Sequence, residues 1–155
     1  MIDESLFRQT MSHFASGVTV VTTALGERLA GLTVSSFASL SLNPPLVLIC
    51  IDHAASSHDV IAAAGKFAVN ILAEDQEYLS RRFAMHDGAK FAPHSYTLSE
   101  NGLPLLEGVL AQIECRLHSA LPGGDHTIFV GEVIAARVFG GRPLLYYRSG
   151  YHQLG

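Results

Sequence analysis

The sequence has few charged residues, only two cysteines and no tryptophan. Charged side chains make up 15% of its 155 residues and hydrophobic ones 48%, which excludes an intrinsically disordered chain. The net charge is −4, and Arg81 and Arg82 form the only basic pair, so the sequence predicts no nucleic-acid partner. No apolar run reaches about 18 residues, which predicts that the protein does not span a membrane.

The two cysteines, Cys50 and Cys115, both lie inside apolar, strand-like runs. Such positions indicate core thiols in a reducing compartment and not a disulfide framework. Residues 1–17 are acidic and amphipathic, unlike a signal peptide, so we expect a cytoplasmic protein. The length predicts a single domain, residues 1–155. The low charge beside a high apolar content indicates surface that is buried in an oligomer.

Several familiar functional motifs are also missing. Residues 62–67, AAAGKF, contain the Gly-Lys pair of a phosphate-binding P-loop but lack its first glycine. No GxGxxG follows a strand-like run, and no Gly-x-Ser-x-Gly marks a serine hydrolase. The eight histidines occur singly, without the spacing of metal ligands, so the sequence predicts no metal site.

The spacing of apolar residues predicts about seven strands and two or three helices. Helices are expected over residues 3–15, 56–65 and 74–84, and strands over 17–25, 29–40, 46–51, 66–72, 108–121, 126–139 and 143–147. Residues 85–101 are expected to form a loop and residues 148–155 a tail. Because helices and strands do not alternate regularly, a doubly wound parallel sheet is disfavoured. A mainly β fold, an antiparallel barrel with a few flanking helices, fits the pattern best.

Residues 32–51, LTVSSFASLSLNPPLVLICI, place five hydroxyl side chains within nine residues and then continue as an apolar run. With the two-residue period of a strand, one face carries Thr33, Ser35, Phe37, Ser39 and Ser41, and the other carries Val34, Ser36, Ala38, Leu40 and Leu42. We expect the second face to pack inward. The first face suits a polar, weakly charged ligand, such as a sugar or ribityl chain with a phosphate, because small hydroxyls both donate and accept hydrogen bonds. An ordinary polar sheet face is the alternative.

Four further segments suggest ligand contacts, each beside a simpler structural role. In DHAASSH (52–58), Ser56, Ser57 and free backbone N–H groups are a possible phosphate seat at the start of a helix, or a plain helix cap. The arginines of RRFA (81–84) suit a phosphate or the carbonyl end of their own helix. In GGDH (123–126) a tight turn projects His126 at a strand start, where it either meets a ligand or is an ordinary surface histidine. Tyr151 either covers a flat ring or seals one end of the barrel.

In their order and spacing these segments resemble the small flavin reductases that supply reduced flavin to two-component monooxygenases, such as those acting on 4-hydroxyphenylacetate, phenol or styrene. The matching segments are FASGVTVVTT, AGLTVSSFASLSLNPPLVLICI, SSHDVI, KFAVNIL, RRFA, GGDHTIFVGEV and PLLYYRSGYHQL. The resemblance implies an FMN-binding split barrel that forms a homodimer, binds FAD or FMN, and oxidises NADH or NADPH. Reduced flavin would then pass to a separate monooxygenase component.

The resemblance also implies roles for individual residues. The hydroxyl segment would line the flavin, Cys50 and its neighbours would follow the isoalloxazine and ribityl chain, the serine pair would meet phosphate, and RFA (82–84) would touch the distal part. These cofactor-binding residues are Thr33, Ser35, Ser36, Ser39, Cys50, Ile51, Asp52, Ser56, Ser57, Arg82, Phe83, Ala84 and Tyr151. His126 would lie beside the nicotinamide as the catalytic residue, with Tyr151 nearby.

Two other functions compete with a flavin reductase. The first is a split-barrel oxidase that acts on a bound substrate, like pyridoxamine-phosphate oxidase, although its phosphate-bearing substrate calls for more Arg and Lys than this chain offers. The second is a flavin-binding module without turnover. In a flavin reductase the flavin would supply redox chemistry that side chains lack, which is consistent with the absence of an activated nucleophile.

Overall fold

The computed structural model describes residues 1–86 and 89–155, and in these ranges the chain is mainly β with three short helices. The helices are α1 (Glu4–Met11), α2 (Ser57–Ala64) and α3 (Glu77–Phe83). The strands are β1 (Ser16–Gly17), β2 (Thr19–Leu25), β3 (Arg28–Val34), β4 (Phe37–Ser41), β5 (Leu46–Asp52), β6 (Lys66–Ile71), β7 (Tyr96–Leu98), β8 (Pro104–Leu106), β9 (Ala111–Gly123), β10 (His126–Val138), β11 (Leu145–Tyr147) and β12 (Gly150–His152).

Seven strands form one antiparallel sheet in the order β3-β2-β6-β9-β10-β5-β4. Its two edge strands, β3 and β4, are separated in the chain only by Ser35 and Ser36. The sheet must therefore curl until its edges are neighbours, which produces a barrel that is open between β3 and β4. This architecture confirms the mainly β, split-barrel fold predicted from the sequence. Smaller sheets, β1-β11-β12 and β7-β8, complete the described strands.

Two apolar clusters hold the structure together. The first fills the barrel with side chains from the inner face of the sheet, including Ile49, Phe67 and Phe129, and receives Ile61 from α2. The second lies outside the barrel and joins the sheet to α3 and the C-terminal strands; its buried members are Val18, Val20, Leu72, Leu79, Phe83, Leu106, Val109 and Leu144. The barrel is thus packed on its inside, and α3 covers part of its outer surface.

The hydroxyl segment is interrupted where a continuous strand was predicted. β3 ends at Val34 and β4 begins at Phe37, and the intervening Ser36 is bonded to Cys50 of β5 through two hydrogen bonds of 3.0 and 3.1 Å. The interruption shifts the alternation of faces by one residue, as a bulge does. Phe37 therefore pairs with Ile49 and packs against the barrel core, so the single hydroxyl face predicted for residues 33–41 is wrong beyond Ser35.

Other boundaries also differ from the prediction. The predicted loop 85–101 contains β7, which pairs with β8, and the predicted tail forms β12, which pairs with β11. α3 starts at Glu77, after the cap residue Gln76, whose side chain accepts a hydrogen bond from the backbone N–H of Ala73 and donates one to the carbonyl of Glu107. The start of α1 agrees with the prediction, since Asp3 caps the N–H groups of Ser5 and Leu6.

The helix α1 lies on the surface with none of its residues buried. Its predicted apolar stripe, which includes Phe7, Met11 and the following Phe14, is more than half exposed. The stripe is therefore part of the apolar surface that a single copy of the chain exposes to solvent. Among the described residues there is no helix with the length and apolar character needed to cross a membrane.

A buried carboxylate stabilises the side of the barrel that carries the β7-β8 hairpin. Glu114 of β9 is fully buried and forms a 3.0 Å ion pair with Arg137 of β10, while the amide of Asn101 donates to its other oxygen at 3.2 Å. Burial raises the pKa of this carboxyl, but hydrogen bonds from Ser99, Arg137 and Asn101 outweigh burial and leave the pKa below its ordinary value of 4.5. The ionised form of Glu114 therefore stabilises the fold.

We expect Glu114→Gln to lower the free energy of unfolding at neutral pH by about 1–3 kcal/mol, because the ion pair is lost and buried donors keep a poorer acceptor. Because the folded-state pKa of Glu114 is depressed, its contribution is present above 4.5 and is lost as the pH falls below that value. Urea unfolding at neutral pH and at about pH 3 measures both effects. The wild-type protein should lose more stability on acidification than the variant.

The matched control is Glu132→Gln on β10. Glu132 pairs with Arg116 at 3.1 Å, but this pair lies at the surface and should contribute less than about 1 kcal/mol. Equal destabilisation by the two substitutions, or an identical acid response of Glu114→Gln and wild type, would contradict the role assigned to Glu114.

Candidate functional site

A continuous trough runs along the outer side of the barrel beside the opening between β3 and β4. Its widest part, the groove, has a volume of about 660 Å³ and lies between α1, the segment 35–38 and β5. Three smaller pockets of about 190–230 Å³ extend the trough towards α2 and the segment after α3. We call them the middle pocket (Val18, Thr33, Ser35, Ser80, Ala84, Tyr146, Tyr151), the hydroxyl pocket (Leu32, Thr33, Ala55, Ser56, Ser57, Phe83, Ala84, Met85, His86, Lys90) and the cationic pocket (Arg28, Leu29, Ala30, Gly31, Ser56, Ser57, His86, Lys90, Phe91).

Neighbouring parts of the trough share lining residues. The groove and the middle pocket share Ser35 and Tyr146, the middle and hydroxyl pockets share Thr33 and Ala84, and the hydroxyl and cationic pockets share Ser56, Ser57, His86 and Lys90. The order along the trough is therefore groove, middle, hydroxyl and cationic. This shape suits one elongated ligand with chemically different parts.

The groove is mostly apolar. Along β5 the side chains alternate, so Ile49 and Ile51 are buried in the core while Leu48 and Cys50 line the groove on the opposite face. Phe7, Met11 and Phe14 of the α1 region form the other wall, and the hydroxyls of Ser35 and Ser36 lie at its floor. The groove thus combines large apolar side chains with small hydrogen-bonding groups, which suits a flat and partly polar ring.

The middle pocket is built by a chain of hydrogen bonds between three elements. Thr33 Oγ1 of β3 donates to the carbonyl of Ser80 in α3 at 2.6 Å, and the Ser80 hydroxyl lies 2.6 Å from the phenol oxygen of Tyr151 in β12. The guanidinium of Arg81 lies 5.0 Å from the centre of the Tyr151 ring. These contacts hold the side chains of Thr33, Ser80 and Tyr151 in place on the wall of the middle pocket.

The hydroxyl pocket lies at the beginning of α2. Ser56 occupies the cap position and its side chain makes no capping hydrogen bond, while Ser57 is buried and its Oγ donates to the carbonyl of Gly31 at 3.2 Å. The first N–H groups of a helix lack partners within the helix and favour an anion. Hydroxyls and N–H groups thus lie together at the start of α2, and the phosphate seat assigned to them stays a prediction.

Two cationic side chains, Lys90 and Arg28, line the cationic pocket. The ammonium of Lys90 is partly buried and donates to the carbonyl of Gly31 at 2.9 Å, and its burial lowers its pKa below the ordinary value of 10.5. Arg28, the first residue of β3, is exposed and also lines this pocket. Within residues 1–86 and 89–155 neither cation has a carboxylate within ion-pair distance, unlike Arg81, Arg116, Arg137 or Arg142. A partly desolvated cation without a counterion favours binding of an anion.

His126 lies at the end of the sheet, beyond the groove. It opens β10 directly opposite Asp52 of β5, two residues along the strand from Cys50, or about 7 Å. Its Nδ1 is 2.7 Å from Oδ1 of Asp125, which lowers the pKa of that carboxyl, and the ring is 39% exposed. The N–H of His53 donates to the carbonyl of Asp125 at 3.0 Å, which ties this turn to the end of β5.

Most of the residues predicted from the sequence come together in the trough. Those that line it are Thr33, Ser35, Ser36, Cys50, Ser56, Ser57, Phe83, Ala84 and Tyr151. Phe83 is only 1% exposed, so its ring belongs to the second apolar cluster and only its edge borders the hydroxyl pocket. Their roles towards a ligand remain predictions.

The described lining of the trough does not include the other predicted residues. Ser39 pairs with Val47, on the core side of β5, because of the shift at Ser36. Ile51 is buried, which leaves only its backbone for a ligand, and Arg82 lies 5.6 Å from the ring of Tyr78. Asp52 and His126 face each other just past the groove.

Sequence reasoning missed Lys90, Arg28, Tyr146 and the α1 residues of the groove. Lys90 lies in a segment with no periodic pattern, and Arg28 follows a turn where a charged residue is ordinary. The stripe of α1 was visible as an amphipathic pattern, but the pattern does not tell which surface it meets. Outside residues 87 and 88, no group of three His, Cys, Asp or Glu side chains has the arrangement of a metal site.

Comparison with known proteins gives consistent matches. A family model described as "Flavin reductase like domain" matches residues 11–155. A flavin reductase of Pseudomonas putida is 43% identical over 152 residues, which are 97% of this chain and 89% of that protein. The reductase subunit HsaB of a flavin-dependent monooxygenase from Mycobacterium tuberculosis is 42% identical, over 97% of this chain and 82% of the subunit.

The fold of the chain also closely matches a solved structure. The NADH:FAD oxidoreductase SgcE6 of Streptomyces globisporus, in complex with NAD and FAD fragments, superimposes with a TM-score of 0.94 and is 39% identical in sequence. The match covers 99% of this chain and 93% of that chain.

Proposed function

The chain belongs to the family of flavin-reductase-like domains, and on this premise we propose that it is an NAD(P)H:flavin oxidoreductase. It oxidises NADH or NADPH, transfers the hydride to FMN or FAD, and supplies the reduced flavin to a separate monooxygenase. Relatives that are reductase subunits of monooxygenases support the last step. The observation in this chain that supports the proposal is the continuous trough. Its apolar groove lies at one end and its hydroxyl pocket, which favours an anion, lies further along the same surface, as the ring and the phosphate of one flavin require.

The residues of the trough fit a flavin. The apolar groove, with Ser35 and Ser36 at its floor, accommodates the isoalloxazine ring, and Thr33 lies where the ribityl chain passes. Ser56, Ser57 and Lys90 surround the position of the phosphate. A bound flavin supplies the two-electron chemistry that no side chain provides, so the protein contributes binding and orientation.

His126 is the proposed contact for the nicotinamide. It lies on the same face of the sheet as Cys50, past the end of the groove, and its ring nitrogens can form a hydrogen bond with a carboxamide. The Asp125 carboxylate accepts a hydrogen bond from Nδ1–H, which leaves Nε2 directed away from the turn. The residue orients a substrate and takes no part in covalent chemistry.

We expect the reduced flavin to leave the protein. The trough is lined by neutral hydroxyls, apolar side chains and few cations, which favours exchange over tight retention. In an anaerobic dialysis cell, protein and NADH with a large molar excess of FMN or FAD over protein on one side should produce reduced flavin in the protein-free chamber, in many equivalents per subunit. A protein that reduces only its own bound flavin would favour the oxidase, and the absence of NADH consumption would favour the non-catalytic module.

We expect His126→Ala to lower kcat/KM for NADH by roughly 10- to 100-fold, because a misplaced ring loses its reactive orientation. Flavin affinity should change less than about twofold, since the flavin lies in the trough and His126 lies past its end. Steady-state NADH oxidation and flavin titration measure the two effects separately. The control is His118→Ala, an exposed histidine of β9. Parallel loss of turnover and flavin affinity would move His126 into the flavin site.

We also propose a homodimer. Large apolar side chains remain exposed on a single chain, among them Phe14 at 76%, Leu42 at 93% and Val138 at 84%. A second copy of the chain would cover part of this exposed apolar surface. Light scattering at micromolar concentration should give twice the chain mass of 16.6 kDa. A monomer mass would refute the dimer and leave the reductase proposal intact.

A further inference from the structure

The segment that joins β5 to α2 is tied to the start of β10 on both sides of His126. Before His126, the carbonyl of Asp125 accepts a hydrogen bond of 3.0 Å from the backbone N–H of His53. After it, the hydroxyl of Thr127 lies 2.7 Å from Nε2 of His58. The proposed nicotinamide contact is therefore held between two links to the same segment.

The ring of His58 is packed into one end of the barrel. Its side chain is 16% exposed, and its ring centre lies 5.2 Å from that of Phe129, a residue of the first apolar cluster, and 5.4 Å from that of His53. Thr127 and Phe129 share the inner face of β10, because residues two apart in a strand point the same way. A polar ring at such a position needs a hydrogen-bond partner, and the Thr127 hydroxyl supplies it.

The two nitrogens of His58 have different surroundings. Nδ1 lies 2.8 Å from Oδ1 of Asp59, but the side chain of Asp59 is 97% exposed, so this contact contributes little. Nε2 points the other way, into the structure, where it meets Thr127. The contact with Thr127 is therefore the one that links the position of α2 to the position of β10.

This contact joins two parts of the chain to which the proposed function gives different tasks. His58 directly follows Ser56 and Ser57, which lie at the proposed phosphate position, and Thr127 directly follows His126. Neither His58 nor Thr127 belongs to the described lining of the trough. The contact thus connects the flavin seat to the nicotinamide contact from behind the ligand-facing surface.

We infer that His58 is a positioning residue for hydride transfer: through Thr127 it holds His126 at a fixed place relative to the flavin seat at the start of α2. This inference rests on the proposed function. Hydride transfer requires the nicotinamide ring at a defined distance and orientation from the flavin, so a small displacement of His126 lowers the rate. His58 touches neither ligand and acts through His126.

Substitutions at the two ends of the contact test this role. Thr127→Val removes the hydroxyl and keeps nearly the same shape; we expect kcat/KM for NADH to fall about 3- to 10-fold, the effect of one lost hydrogen bond, with flavin affinity changed less than twofold. His58→Asn, whose side chain is too short to reach Thr127, should have the same effect. His58→Gln, whose amide extends further, should retain most of the activity. The matched control is Thr97→Val, an exposed threonine of β7, which should change neither quantity.

A double-mutant cycle shows whether His58 acts through His126. In the His126→Ala background the nicotinamide contact is already missing, so Thr127→Val should lower kcat/KM for NADH by less than a further factor of about two. A merely structural role would lower it equally in both backgrounds, and that result would overturn the inference. Thermal unfolding identifies the variants that are folded in the assay, and His58→Asn replaces Thr127→Val in the cycle if the latter is unfolded.

Two further results would also overturn the inference. One is an unchanged kcat/KM for NADH in folded Thr127→Val, and the other is a loss of flavin affinity that parallels the loss of turnover. NADH oxidation by the wild-type protein with excess FMN or FAD tests the proposed function separately. If wild type oxidises NADH and the cycle is additive, only the positioning role of His58 is refuted. If wild type oxidises no NADH with either flavin, the reductase function itself is refuted.

Discussion

The pair of hydrogen bonds between Ser36 and Cys50 governs both the fold and the site. They hold the chain where β3 stops and β4 starts, so the two edges of a seven-stranded sheet come together without pairing. A paired edge would close the barrel and remove the floor of the groove. Because the edges stay apart, Ser35 and Ser36 remain accessible from the outer side. The opening in the barrel and the beginning of the trough are the same structural feature.

The remainder of the trough depends on elements added outside the barrel. Thr33, Ser80 and Tyr151 link β3, α3 and β12 in one line of hydrogen bonds, and Phe83 fixes α3 against the sheet. Gly31 permits this packing, since a Cβ at that position would lie 2.9 Å from the Phe83 ring. The same contacts therefore stabilise α3 and shape the middle and hydroxyl pockets, so changes in this region affect stability and binding together.

Strands with clear alternation and the left-handed Gly65 that ends α2 could be predicted, because local patterns determine them. The break after Val34 could not, since it depends on Ser36 meeting Cys50, a residue distant in the chain. That one shift explains why Ser35 lines the trough and Ser39 does not. The β7-β8 hairpin was missed for a similar reason: its three-residue strands are too short to show a period and are specified by their partner. Lys90 and Arg28 became recognisable only when the fold placed them at one pocket.

The two thiols of the chain have very different surroundings. Cys115 is fully buried, and its desolvation, together with the neighbouring Glu114 carboxylate, raises its pKa to about 12. A thiol in this state does not form a thiolate at neutral pH and is unreactive. Cys50, by contrast, lines the groove. The natural sequence therefore provides one accessible thiol in the groove, so that a maleimide-linked fluorophore or spin label can be attached there without any engineered cysteine.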